Sequence, residues 1–358
     1  MNINLITPIN QLGYGIAGLN ILKSLSLLSN VSLFPIGPVQ ITNKENSDIA
    51  KQSLLNAKMP DFNAPCIRIW HQHDMSQFVG RGKKIGFPFF ELNVFTTQEK
   101  HHLNSVDQLF VCSNWAKDIC LDQLQLTEDQ INVIPLGVDS KIFHPNNYEF
   151  TSPNPNTVFF NCGKWEVRKG HDILVEIFNE AFEENDNVEL WMMCHNPFLN
   201  ENDQNEWVNL YSKSKLGSKI KFIPRANTQE EVYNIMSEID CGVFPSRAEG
   251  WNLELLELMS CGKNVITTNY SAHKEFCNNT NSYLVDITEQ ETAYDGKWFH
   301  GNGEWAKINE DAKNQFITHL RSIHNLKQQN KLNINQHGIV TAQYFSWDHA
   351  ARKIINYV

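Results

Sequence analysis

Residues 240–261 constrain this chain more than any other stretch. An apolar run, Asp240-Cys241-Gly242-Val243-Phe244-Pro245, leads without a spacer into Ser246-Arg247-Ala248-Glu249-Gly250-Trp251-Asn252 and then into an amphipathic run that ends at Gly262. A short continuous apolar run reads as a buried strand, and apolar residues at helical spacing read as a helix. Strand, tight acidic turn and helix is the unit from which open parallel sheets are built. The order puts Glu249 in the turn and Glu257 on the helix. A helix N-terminus attracts phosphate, and a carboxylate accepts two hydroxyl hydrogen bonds at once. A phosphorylated sugar with a free diol would engage both.

The same alternation runs through the chain. In the first half, strand-like runs fall at 4–7, 31–35, 66–70, 84–87, 108–112 and 132–135, and a helical pattern of Ile16, Leu19, Leu22, Leu25 and Leu28 separates the first two. After a proline- and asparagine-rich stretch at 146–156, read here as the linker, strands are expected at 157–161, 189–194, 219–223, 241–245, 264–267 and 282–285. Helices are expected at 171–182, 229–238, 253–261 and 310–328. At 358 residues two domains are the natural division. They are drawn at 1–150 and 151–344, with an amphipathic C-terminal helix at 345–358 opened by Ser346. The aromatic, glycine-rich stretch 295–305 reads as a packed loop without chemistry.

The second half opens with Asn161-Cys162-Gly163-Lys164-Trp165-Glu166-Val167-Arg168-Lys169-Gly170-His171. A strand ends, a loop carries Lys164, Arg168 and Lys169, and a helix begins near Gly170. Cations beside a helix start suit a diphosphate. A solvated basic loop is the plainer account, and the glutamate turn farther along the chain weighs against it.

Together these segments resemble the GT-B glycosyltransferases, in particular the large retaining family 4 type (glycosyl transferases group 1), with its glutamate–seven residues–glutamate signature and its basic Lys-Gly element. The resemblance implies an α/β fold of two Rossmann-like parallel-sheet domains facing across a cleft, the first on the acceptor side and the second holding the donor. The C-terminal helix is expected to pack back on the first domain. The resemblance also implies a hexose moved from a nucleoside-diphosphate sugar, UDP- or GDP-linked, to a hydroxyl acceptor that is a glycan, lipid-linked or a protein. Configuration is retained, and neither a cofactor nor a metal is needed. By the same resemblance Lys164 and Lys169 stabilise the departing diphosphate, Glu249 lies near the donor sugar and Glu257 binds the ribose. Arg168, Gly250, Trp251, Asn252 and Leu253 complete the donor site. Lys164 stands where Arg is common, and Asn252 where Gly is common. Arg225, at a later strand end, is a candidate for the nucleotide base.

The first half begins with a strand and then Gln11-Leu12-Gly13-Tyr14-Gly15-Ile16-Ala17-Gly18, read as a glycine loop before a helix. Gly-x-Gly-x-x-Gly makes an NAD(P)-dependent oxidoreductase the rival reading. The glycines start several residues after the strand, and the second strand ends in Phe34-Pro35-Ile36-Gly37 with no acid for a ribose. The resemblance implies instead a backbone approach to the donor at Gly15, and that reading is preferred. His71, His73 and Asp74 follow another strand and could be read as a metal site. Without an evident third partner, His71 and His73 are instead placed at the acceptor side. By the same resemblance Glu91, after Phe87-Pro88-Phe89-Phe90, is the candidate catalytic polar group near the reacting centre.

A net charge of −10 argues against broad nucleic-acid binding. No run approaches the length of a membrane span. The first residues lack a basic region and a long apolar core, and the 8 cysteines are scattered without a Cys-x-x-Cys pair. Both point to a reducing, cytoplasmic setting. A third reading is a catalytically inactive sugar-nucleotide-binding protein. Intact Lys169, Glu249 and Glu257 speak against it, since a scaffold would not need them.

Overall fold

The structure, a computed structural model, describes residues 1–145 and 154–358. Most of the 146–156 stretch, including the 150/151 boundary, lies outside the described residues. The chain forms two compact units, Met1–Asp139 with Tyr344–Val358, and Ser140–Gln343.

In the first unit the order is β1 (Asn2–Thr7), α1 (Gly13–Ser26), β2 (Asn30–Pro35), α2 (Lys44–Asn56), β3 (Cys66–Arg68), β4 (Lys84–Gly86), α3 (Thr97–Leu103), β5 (Gln108–Val111), α4 (Asn114–Gln123) and β6 (Ile131–Val133). The strands form one sheet in the order β2-β1-β3-β4-β5-β6, with every pairing parallel. The order in which successive strands are added reverses between β1 and β3. In open α/β sheets that crevice, outside the carboxyl ends, is where ligands bind. Leu109, Val111, Leu103, Ala116, Cys120 and Ile131 form part of the core.

The second unit runs β7 (Thr157–Gly163), α5 (His171–Ala181), β8 (Val188–Cys194), α6 (Glu201–Ser212), β9 (Ile220–Phe222), α7 (Gln229–Ser237), β10 (Cys241–Phe244), α8 (Leu253–Ser260), β11 (Asn264–Thr268), α9 (His273–Phe276), β12 (Tyr283–Val285), β13 (Gln290–Tyr294), β14 (His300–Ala306), α10 (Glu310–Gln328) and α11 (Gln336–Tyr344). Its parallel sheet has the order β12-β11-β10-β7-β8-β9. Read from the other edge this is the doubly-wound Rossmann order, whose switch point lies between its first and fourth strands. Those strands are β7 and β10. Phe159, Phe178, Leu190, Val243, Ile266 and Phe316 belong to the core that helices and sheet share.

The last helix, α12 (Trp347–Tyr357), belongs to the first unit. Ser346 caps it by accepting from the His349 amide, and Trp347, Ala350, Ala351 and Ile354 are its buried residues. Ser24 on α1 donates to Asp348 at 2.8 Å.

Two sequence expectations are corrected here. The glycine run at 13–18 is not a loop: it forms the first turns of α1, and the loop is 8–12. Glycine is a weak helix former, but packing overrides propensity at this site. A Cβ on Gly15 would stand 2.3 Å from Asn10 Oδ1, and one on Gly18 would stand 2.2 Å from Thr7 Oγ1 and 2.5 Å from the Pro8 carbonyl. The helix can sit this close to the end of β1 only without side chains there. Gly18→Ala is expected to destabilise the fold by about 1–3 kcal/mol, measured by urea unfolding; an unchanged midpoint would contradict the close packing. The second correction concerns 295–305, which is not a packed loop. It spans the turn and second strand of an antiparallel hairpin, β13–β14.

Candidate functional site

The ends of β7 and β10 carry the basic loop and the glutamate turn, and the sheet order makes these two strands neighbours. Gly163 and Gly170 let the basic loop lie where it does. Gly163 has φ +137°, and a Cβ there would stand 3.0–3.1 Å from Cδ and Cε of Lys169. Gly170 has φ +73°, and its Cβ would stand 2.0 Å from the Pro245 carbonyl. Both positions need the backbone freedom of glycine. The loop is therefore folded against the glutamate turn, with the Lys169 side chain directed back along it.

Lys169 donates to Glu249 Oε1 at 2.9 Å, and Arg168 Nη1 donates to Glu249 Oε2 at 2.8 Å and to the Ala248 carbonyl at 2.7 Å. Ser246 Oγ donates to Glu249 Oε1 at 2.9 Å, while the Glu249 amide donates to Ser271 Oγ. Burial alone would raise the Glu249 carboxyl, but the charges of Lys169 and Arg168 override it and hold the group well below the usual carboxylate range. Burial likewise opposes the Lys169 ammonium, and Glu249, with Glu254, overrides that and raises it. Both groups are thus locked in their charged forms.

Glu166 is the carboxylate that reading the sequence missed. Its oxygens accept from Arg168 at 2.8 Å and pair with Lys164 at 2.8 Å. Three loop cations stand against Glu166 and Glu249, so the cluster retains one net positive charge. That is less attraction for a diphosphate than the basic loop alone suggests, and it increases the share carried by backbone N–H groups at the helix starts.

Two buried histidines complete the frame. His171 Nδ1 accepts from the Glu166 amide at 3.1 Å, and its Nε2 donates to Asn161 Oδ1 at 2.9 Å. Burial, aided by the Lys169 charge, lowers it to about 3. His273 Nε2 accepts from Asn252 Nδ2 at 2.9 Å, and burial lowers it to about 4. Both rings are therefore neutral at pH 7 and act as hydrogen-bonding struts. Asn252 has φ +82° and caps α8, accepting from the Leu255 amide. It takes the left-handed conformation that Asn tolerates.

Arg247 ties the turn to its surroundings. Its Nη1 and Nη2 donate to Asp172 at 2.7 and 2.9 Å, Nη1 to the Val167 carbonyl at 2.6 Å and Nε to Glu291 at 3.2 Å. Its guanidinium lies 5.8 Å from the Trp305 ring centroid.

The other donor-side candidates divide. Glu257 is buried on α8; burial and then the Glu254 charge push its carboxyl well above the usual value. The Trp251 ring turns inward onto Phe276, with centroids 4.8 Å apart, so its backbone is what it can offer a ligand. Gly250 and Leu253 flank it at the start of α8. Arg225 lies exposed beyond β9, at the sheet edge two strands from β7, and is not brought into this cluster.

In the first unit, the loops after β1, β3 and β4 bring the predicted residues around Tyr14, which reading the sequence missed. Tyr14 stacks on Phe89 at 4.5 Å, and its ring lies 4.7 Å from that of His71, which in turn lies 5.3 Å from that of His73. Burial and then the Glu91 charge raise the Tyr14 phenol, against the lowering effect of its hydrogen bond to Phe89. Asp74, considered as a metal partner of the histidines, pairs with Arg68 at 2.8 Å. Gly15 sits in α1 against Asn10.

Residues 156–295 match the family model Glycosyl transferases group 1. The O-antigen biosynthesis glycosyltransferase WclY of Escherichia coli is 27% identical over 143 residues, 38% of this chain and 37% of that protein. The chain thus spans well under half the length of this curated relative. A glycosyltransferase of Rickettsia africae superposes with a TM-score of 0.70 at 16% identity, covering 99% of this chain and 97% of that one. Anabaena HepE in complex with UDP-glucose superposes with a TM-score of 0.70 at 15% identity, covering 99% and 98%. The chain thus has the GT-B fold from end to end, and residues 156–295 of its second unit match the glycosyl transferases group 1 family.

Proposed function

We propose that this protein is a glycosyltransferase that moves a hexose from a nucleoside-diphosphate sugar to a hydroxyl acceptor, with retention and without a bound metal. The observation that carries the reading is the buried Arg168–Lys169–Glu249 cluster at the β7/β10 switch point, beside the cap of α8. A departing diphosphate gathers negative charge. Lys164 and Lys169, with the N–H groups around Asn252, are donors already fixed where that charge would build, so little reorganisation is needed. HepE, solved with UDP-glucose, has the same fold and supports a nucleotide-sugar donor. The family resemblance supports a same-face route assisted by a phosphate oxygen. Glu257 is assigned to the ribose hydroxyls and Glu249 to the donor sugar, with His71, His73 and Glu91 toward the acceptor. The domains are proposed to divide these roles as 1–150 and 151–344, in the cytoplasm.

A thermal-shift panel of UDP, GDP, ADP, their sugars and NAD(P) tests the reading. Ligand that binds only the folded state raises its melting temperature. A rise with one nucleoside diphosphate is expected; a rise with NAD(P) alone would favour the oxidoreductase.

Glu257 yields a second test. Its raised carboxyl means that the folded chain keeps a proton that the unfolded chain sheds above about 4.5. Stability therefore falls as pH rises from there toward the folded-state value. Glu257→Gln should flatten that fall and raise the melting temperature at pH 8. It should also weaken nucleoside-diphosphate binding roughly tenfold, through the loss of one hydrogen bond to the ribose diol. Calorimetry showing wild-type affinity would remove Glu257 from the donor site.

A further inference from the structure

The β13–β14 hairpin holds the Trp298 ring half in solvent and anchors it firmly. At its tip, Asp295 Oδ1 accepts from the amides of Lys297, Trp298 and Phe299 at 2.9, 2.7 and 2.8 Å. The Asp295 amide donates back to the Phe299 carbonyl at 3.0 Å. Lys297 pairs with Asp203 in the first turn of α6. At its base, the Ala306 amide donates to the Arg247 carbonyl at 2.9 Å, and Glu291 accepts from Arg247. The hairpin is therefore fixed both to α6 and to the glutamate turn.

Trp298 is 42% exposed and Phe198, on the loop before α6, is 59% exposed. Their ring centroids lie 6.3 Å apart at 73°. Phe198 in turn lies under Lys164, whose Nζ is 5.7 Å from the ring centroid. The two rings meet edge to face, and through Phe198 the pair adjoins the basic loop at Lys164. Large aromatic rings anchored in solvent mark binding surfaces rather than core. A pyranose ring offers an apolar C–H face of matching size, with hydroxyls at its rim for the neighbouring charged groups.

We propose that Phe198 and Trp298 form a stacking platform for pyranose rings of a glycan chain, laid alongside Lys164. The stacking stands apart from the transferase reading.

Maltohexaose, cellohexaose and chitohexaose, titrated into the full chain by calorimetry, test this. The wild type should bind at least one below about 10 mM. Trp298→Ala and Phe198→Ala should each weaken that binding roughly tenfold or more, and Trp298→Phe should recover part of it. Affinity for the nucleoside diphosphate should stay within about twofold. Both rings are exposed, so the folds should survive, with circular dichroism as the check. The platform would be overturned by no hexasaccharide binding by the wild type, by wild-type affinity in both alanine variants, or by loss of nucleotide binding alone, which would make the pair a base-stacking site. A wild type that binds hexasaccharide through Trp298 but binds no nucleoside diphosphate would sink the transferase reading and leave the platform standing. So too, sedimentation showing that Trp298→Ala only dissolves a dimer would overturn the platform as self-association.

Discussion

Lys169→Met is expected to lower turnover with the cognate sugar nucleotide by about 10²–10³-fold while the chain stays folded. The methionine keeps the length and apolar stem of the side chain. It removes an ammonium that its carboxylate partner holds charged inside a buried site. Glu249 keeps Arg168 and Ser246 as partners, so the loss of the lysine strands no carboxylate. The cost should therefore fall on the reaction, where an ammonium facing a developing diphosphate charge matters most. Transfer and donor hydrolysis, each followed by released nucleoside diphosphate, give the measurement. Wild-type turnover in this variant would remove Lys169 from the phosphate site.

Glu249→Ala should have the larger effect on stability, about 3–5 kcal/mol, because it leaves Lys169 and Arg168 buried without the carboxylate they share. Glu249→Gln should cost less, since the amide oxygen still accepts. Acid unfolding separates the two contributions. The folded-state carboxyl is held below its ordinary value near 4.5, so its stabilisation is full above that value. It is lost as pH falls from there toward the folded-state value. The glutamine variant should lose this part of the pH dependence. Urea unfolding at pH 7 and at pH 4 would show it as a smaller drop than in the wild type. An equal drop would mean that the ion pairs contribute nothing in the folded state.

Much of the second unit was legible from local sequence. Residues 240–245 form an apolar run because β10 is buried on both faces, and Asn252, at the boundary, caps α8. The loop from Lys164 to Gly170 was legible for the same reason: a strand end, two glycines and a helix start lie close together in the chain. What joins these pieces was not legible. The neighbours β7 and β10 are about 80 residues apart, and only the strand order brings Glu249 to Arg168 and Lys169. Glu166, His171 and His273 carry no sequence signal, since a buried neutral histidine differs from a solvated one only in its partners. The hairpin tip was signalled by Asp295-Gly296, a turn pair, but its strands are too polar to stand out. At 13–18 the glycine run misled, because propensity favours a loop where packing against Thr7 and Asn10 demands a helix. Tyr14 went unnoticed because it sat inside that run.

A crystal of the chain soaked with the nucleoside diphosphate that most raises its melting temperature tests the central claim most directly. The account predicts phosphate oxygens within hydrogen-bond reach of Lys164, Lys169 and the start of α8, with ribose hydroxyls on Glu257. Nucleotide seated away from the β7 and β10 ends, or those side chains turned from it, would contradict the account.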